Sequence, residues 1–352
     1  MFARFRRKYD FTDILLWLIG AVLLVSILYG SFVTLTSGKY TTEQWLNFII
    51  FGIAQGGIYG LIALGYTMVY GILGMINFAH GEFFMFGTFG AFFMAEALST
   101  TGLIESNPLL AILLMLLAAM IVAASVAVLA ERIAYRPLRR APRLVPLITA
   151  IGVSYFLQYT ARGLFGSGVE AFPNVPALDG SIDLGIVSVQ RSQVAVFIAT
   201  TLLLTLLWLF VSKTKIGRAI RSVAEDKDAA ALMGVDVDRT IAISFAVGGI
   251  MAGAAGVMYG LVFRQVSFYM GFVPGLKAFT AAVLGGIGNL PGAVLGGLIL
   301  GVIESVGPSL FLEGIGIPSP HQLKDGIAFT VLVLILIFRP TGILGERLSK
   351  RA

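Results

Sequence analysis

Long apolar stretches alternate with short polar ones along almost the whole chain. A helix that crosses a bilayer needs about 20 predominantly apolar residues. Candidate spans are Ile14–Leu35, Trp45–Tyr66, Glu82–Leu98, Leu109–Ala130, Val145–Phe165, Val194–Val211, Ile241–Val262, Leu276–Ile287, Gly292–Leu312 and Gly326–Phe338. The pattern predicts an all-α fold, a polytopic membrane helical bundle of about ten crossings. Leu276–Ile287 is too short to cross alone. The punctuation Gly288-Asn289-Leu290-Pro291 after it predicts a broken or re-entrant segment, which needs protein or water around it to satisfy the backbone. The stretches after Gln55-Gly56-Gly57 and Val247-Gly248-Gly249 are both glycine-rich and each precedes a disrupted span, which makes an inverted repeat a candidate architecture.

The longest polar interruption is Lys213–Thr240. Ile216, Ile220, Val223, Ala230 and Met233 fall near one face at helical spacing, and Gly234 is a natural stop. This predicts a short amphipathic helix held between two spans, suited to docking onto another protein. Basic residues then orient the chain. Arg4, Arg6, Arg7 and Lys8, the loop 131–143, the stretch 213–239 and the tail from Arg339 together hold 19 of the 25 Lys and Arg. The positive-inside rule puts all four segments, and so both termini, in the cytoplasm. An even number of crossings follows, and the split at 288–291 supplies it.

Composition adds exclusions. Charged residues are 12% of the 352, mean hydropathy is +0.91, and the net charge of +6 sits in short loops between spans. This is a membrane protein, with no case for nucleic acid. The absence of cysteine excludes disulfides, thiol catalysis and thiolate metal sites. The run Ile14–Leu35 is longer than a signal-peptide core and lacks a small-residue cleavage site, so it reads as a retained helix, with a cleaved signal as the alternative.

Much of the glycine recurs at four-residue spacing, as in Gly56/Gly60, Gly249/Gly253 and Gly297/Gly301, which suits close helix packing. No phosphate loop exists, so the chain does not itself hydrolyse ATP. Two separated histidines, His80 and His321, support neither a metal site nor a catalytic triad. The segment Gly74–Glu82 mixes apolar and polar residues most unusually. Asn77, His80 and Glu82 are candidates for a substrate pathway, or for a solvated cytoplasmic turn, which the predicted topology favours slightly. Gln55, Lys277, Asn289 and Glu304 are further pathway candidates, although Lys277 could snorkel to the interface and Glu304 could serve as an interhelical hydrogen-bond partner. The longest outer loop, Gly166–Gln193, contains the alternating stretch Ile182–Val189 and is either a docking surface or a connector.

Several stretches together carry a family resemblance: GGIYGLIALGYTMVYGILGMINFAHGE (56–82), ERIAYRPLR (131–139), LITAIGVSYFLQ (147–158), GRAIRSVAEDKDAAALMGVDVDR (217–239), GLKAFTAAVLGGIGNLPGAVLGGLILGVIES (275–305) and RPTGILG (339–345). The chain resembles branched-chain amino-acid ABC transporter permeases of the LivH type from about residue 45 onward. Residues 1–44 then form an extra N-terminal helix with a short outer loop, and 45–352 the permease domain. The resemblance implies a non-catalytic subunit of an importer in the bacterial inner membrane. Its implied partners are two ABC ATPases that bind the ATP, a second and paralogous permease, and a periplasmic binding protein. It also implies a coupling helix at 217–236 within the loop 213–240. Asp228-Ala229-Ala230 followed by Gly234 matches the family's Glu-Ala-Ala-x-x-x-Gly motif with Asp in place of Glu, and Arg218, Arg221 and Glu225 flank it. The same fold could carry urea, amides or aromatic acids. An ion-coupled secondary transporter is the alternative from another class, and would need ionisable residues deep in several spans.

Overall fold

A helix of 32 residues, α2 (Thr42–Leu73), forms the axis of the bundle. The computed structural model describes residues 11–139, 141–142 and 144–345, with side chains from residue 14. Arg4, Arg6, Arg7, Lys8, Arg140, Arg143, Arg347, Lys350 and Arg351, which bear on the orientation, lie outside the described residues. α2 starts at a capping box: Thr41 Oγ1 accepts from Gln44 N–H and Gln44 Oε1 accepts from Thr41 N–H. It stops at Gly74, whose left-handed backbone (φ 67°) suits glycine.

The other helices are α1 (Phe11–Ser37), α3 (His80–Thr100), the single turn α4 (Leu103–Ser106), α5 (Pro108–Ala130), α6 (Leu144–Phe165), α7 (Arg191–Lys213), α8 (Lys215–Glu225), α9 (Lys227–Leu232), α10 (Val237–Phe263), α11 (Phe272–Gly285), α12 (Leu290–Gly307) and α13 (Lys324–Phe338). Among the described residues, nine helices are long and apolar enough to cross a membrane, and α11 is a shorter apolar one. The chain is a multi-pass, all-α membrane bundle.

α11 has 14 residues, about 21 Å of helix at 1.5 Å per residue, against a hydrocarbon core of about 30 Å. The break after it comes where the sequence places it. Gly286 (φ 106°) and Gly288 (φ 96°) turn the chain, and Asn289 Oδ1 caps α12 by accepting from Gly292 N–H, with Pro291 in the first turn. The two helices pack back to back: Gly285 lies against Gly292, and Gly296 against Ala281.

Helices close to backbone contact where small residues meet. At the α2–α12 crossing a side chain on Gly56 would lie 2.6 Å from Gly297 O, and one on Gly301 would overlap Gly52 O and Gly56 Cα. The α5–α10 contact repeats this, with Gly249 against Ala123 O and Gly253 against Ala119 O. The glycines at four-residue spacing are packing residues.

The stretch 213–240 is two helices rather than one. Asp226 breaks it (φ −155°, ψ 112°) and caps α9 by accepting from the N–H groups of Asp228 and Ala229. Ile220, Val223 and Ala230 are buried as the spacing predicts, but Ile216, in the first turn of α8, is exposed, and so is Met233, beyond the break at Asp226 that takes α9 out of register with α8. Gly234 (φ 85°) ends α9.

Loop 131–143 lies at the same end as this stretch, tied by Arg136 and Arg139 to Asp238. The opposite end carries the Lys39–Glu313 and Arg264–Asp179 ion pairs. It also carries two small antiparallel ladders, β1 (Val169–Ala171) with β4 (Gln265–Ser267) and the hairpin β2 (Ser181–Asp183) with β3 (Ser188–Gln190).

Candidate functional site

α3 begins inside the bundle. Its first residue, His80, lies against Gly65 in α2 and Gly248 in α10, both well within their helices. The turn 74–79 therefore doubles back from the end of α2 into the bundle. Asn77, His80 and Glu82 are 2%, 1% and 0% exposed. The expectation that this segment is a solvated turn is corrected. Glycine and alanine on the facing helices leave room for it to fold inward.

Glu82 is held on one side only. Its Oε1 accepts from Ser154 Oγ and Gln158 Nε2 of α6, both at 2.9 Å. Its Oε2 has no hydrogen-bond partner and lies over Gly271, where a side chain would collide with it. The His80 ring stacks edge-on to Tyr66 at 4.7 Å and to Phe83 at 5.6 Å, and neither ring nitrogen is hydrogen-bonded. Asn77 Oδ1 accepts from Tyr135 Oη at 2.6 Å and from Ala79 N–H at 3.1 Å, while its Nδ2 has no partner. Unpaired polar atoms at membrane depth are costly, and they concentrate at working sites.

A second group joins four helices. Lys277 of α11 is ion-paired to Glu304 of α12 and lies 2.6 Å from Asp325 Oδ1 at the start of α13. Its Nζ also lies 3.4 Å from Tyr59 Oη of α2, which accepts from Gln55 Nε2 at 2.6 Å. Lys277 does not snorkel to the interface; it is 4% exposed and neutralises Glu304 across the helix contact. Of the sequence candidates, Asn77, His80 and Glu82 thus share one site and Gln55, Lys277 and Glu304 another. Asn289 joins neither. It caps α12, and its Nδ2 donates to Leu344 O at 2.8 Å.

Tyr59, Tyr66, Tyr135, Ser154, Gln158 and Asp325 complete these groups and were not singled out from the sequence. A signal existed for two pairs: Ser154/Gln158 and Gln55/Tyr59 are polar residues four apart within apolar spans, so each pair shares a helix face. Among the described residues no group of three or more His, Asp or Glu converges as a metal site.

The polar stretch at the bundle's end presents a third surface. Arg218, Glu225, Asp228, Ala229 and Gly234 are exposed. Ala230 is buried beneath them, and Arg221 Nη1 donates to Val211 O at 2.5 Å, closing the end of α7. Leu232 and Met233 protrude at 89% and 84% exposure. Partial desolvation, and after it the cation of Arg139, hold the Lys227 ammonium pKa below its ordinary value.

Comparison with known proteins fits this architecture. The model of the branched-chain amino acid transport system permease component matches residues 48–336. A high-affinity branched-chain amino acid transport system permease protein of Pseudomonas aeruginosa, BraD, is 44% identical over 306 residues, covering 86% of this chain and 96% of its own. LivH of Salmonella typhimurium is 43% identical over 311 residues, 87% of this chain and 98% of its own. LivH of Escherichia coli K12 is 42% identical over the same shares of each chain. The match begins after α1 and runs through both buried polar groups and the polar stretch 213–240, so the chain belongs to the family of branched-chain amino acid transport system permease components.

Proposed function

We propose that this chain is the membrane-embedded permease of an ATP-driven importer that moves branched-chain amino acids inward across the bacterial inner membrane. In this reading two partner ATPases bind and hydrolyse the ATP. A second, paralogous permease completes the pore, and an extracytoplasmic binding protein delivers the cargo. Both chain termini face the cytoplasm. The chain contributes no catalytic group. It offers a path whose affinity for cargo differs between two states, and the ATPases drive the exchange between them.

The observation that carries this reading is the pair Leu232 and Met233, held out into solvent at the end of α9 by a capped and glycine-terminated turn. Large apolar side chains so exposed beyond the membrane-spanning helices fit a cleft on a partner. The short cap at Asp226 and the buried Ala230 make α9 a rigid handle rather than a floppy loop. Asn77, His80 and Glu82 are candidates for the cargo path, because they are buried together and Glu82 Oε2 and Asn77 Nδ2 offer hydrogen bonds that no protein group takes up.

The test is co-purification of the detergent-solubilised chain from native membranes, scoring bound ATPase. The intact chain should bring down an ATPase. A variant with Ala229→Glu and Gly234→Lys should fold, as judged by an unchanged elution profile, and bring down none. Recruitment of no ATPase by the folded intact chain would overturn the importer reading and favour an ion-coupled transporter.

A further inference from the structure

α5 does not end as an α-helix. From Glu131 to Tyr135 it widens into one π-helical turn, followed by a 3-10 turn over Arg136–Leu138. π turns commonly close α-helices at their C-terminal ends. This one directs two polar side chains inward, and both Glu131 and Tyr135 are buried. They face opposite neighbours. Glu131 pairs with Arg139, and Arg139 also pairs with Asp238, in the first turn of α10 at the end of the 213–240 stretch. Arg136 holds the same Asp238 carboxylate at 2.7 Å. Tyr135 packs on Phe245 of α10 at 5.5 Å, and its hydroxyl donates to Asn77 Oδ1 at 2.6 Å. Asn77 in turn holds Ala79 N–H, one residue before α3 and three before Glu82.

The contacts are therefore continuous from the polar stretch at the bundle's end to the buried turn inside the bundle. We propose that the π turn Glu131–Tyr135 passes movement of the 213–240 stretch to the buried segment 74–82, with Tyr135 as the positioning residue that transmits it through its hydrogen bond to Asn77. The proposal rests on the ATPase-driven reading above and deepens it. Coupling needs an element with two discrete arrangements that both sites bias. A π turn supplies one. Closing it to α-helical register moves each following side chain by one residue, about 100° around the axis. That rotation would withdraw the Tyr135 hydroxyl from Asn77. The arginine grip on Asp238 decides which register is favoured, because α10 carries Asp238 with the coupling stretch.

The experiment uses the reconstituted complex of this chain with its partner permease, ATPases and binding protein, with leucine as the transported probe. Tyr135→Phe deletes one hydroxyl and keeps the ring. The variant should assemble and hydrolyse ATP within about two-fold of the parent, while leucine moved per ATP falls about five-fold or more, the lower end of ordinary coupling effects. Asn77→Ala should lower the same ratio, and the double variant should be no worse than either single one. An unchanged ratio in Tyr135→Phe, or independent and additive losses, overturns the link. A parent complex that hydrolyses ATP and binds leucine yet moves none overturns the importer reading, and the link with it. Tyr155→Phe, on an exposed face of α6, controls for loss of a tyrosine hydroxyl as such.

Discussion

α2 and α1 are both long apolar helices, and they live in different solvents. In its most apolar window α2 is 72% buried inside the protein, whereas α1 is 6% buried. α2 carries four glycines between residues 52 and 60 and, on the same helix, Gln55, Tyr59 and Tyr66. α1 exposes Ile14, Trp17, Leu18, Val22, Leu24 and Phe32 along its length. Hydropathy alone does not separate the two, because lipid is as apolar as leucine. The difference is what each helix must satisfy. A helix surrounded by protein can afford polar side chains and needs small ones for close approach, while a lipid-facing helix needs only to be greasy. The matched family region begins at residue 48, after α1.

The largest test of that contrast is Lys277→Met. It leaves the buried Glu304 carboxylate without its cation and removes the partner of Asp325. Breaking a buried pair in this way costs about 3–5 kcal/mol. A marked fall in melting temperature in detergent, and in yield, is expected. Adding Glu304→Gln should restore most of it, since the penalty comes from the orphaned charge. A single variant as stable as the parent would mean that water reaches this group and the pair is not structural.

Gly301→Val comes next. Its side chain has no room against Gly52 and Gly56, so α12 must move from α2. Forced overpacking costs about 1–3 kcal/mol. Leu24→Ala on α1 is the matched control and should stay within about 0.5 kcal/mol, as substitutions away from packed features usually do. Equal losses at both positions would show that α1 is covered by another protein rather than by lipid.

These contrasts also mark what could be read from the chain. The spans and the break before α12 were legible because their causes are local: apolar length, two glycines, an Asn cap and a proline within a few residues. The burial of Asn77, His80 and Glu82 was not, since it depends on Gly65 and Gly248 standing aside on other helices. Nor was the meeting of Tyr59 with Lys277, which are 218 residues apart and carry no pairing signal in their own neighbourhoods. The division of 213–240 failed for a subtler reason. Apolar spacing continued across Asp226, and only the choice of Asp226 as a cap rather than a helical residue breaks the register. The π turn left no trace in periodicity, because one inserted residue at the end of a span resembles an ordinary boundary shift.

The smallest effect belongs to the attachment of α1. Near the C-terminal end of α1, Gly30 and Gly314 come into backbone contact, and Glu313 receives Lys39 at one oxygen and the Tyr40 hydroxyl at the other, the latter at 2.5 Å. These hydrogen bonds, chiefly that from Lys39, hold the Glu313 carboxyl below its ordinary range. A carboxyl whose folded value is depressed adds stability that is complete above its unfolded value, about 4.3, and is lost as pH falls through the lowered folded value. Lys39 is 59% exposed, so salt screens the pair and the contribution is slight. Glu313→Gln should therefore make the connection 38–41 modestly more sensitive to protease at neutral pH and low salt. The variant and parent should converge only once the pH has fallen below the lowered folded value, where the parent carboxyl is protonated too. They should also converge in high salt. No difference between variant and parent at neutral pH and low salt would assign the attachment to the Gly30–Gly314 contact and the apolar face, with the charge merely accompanying it.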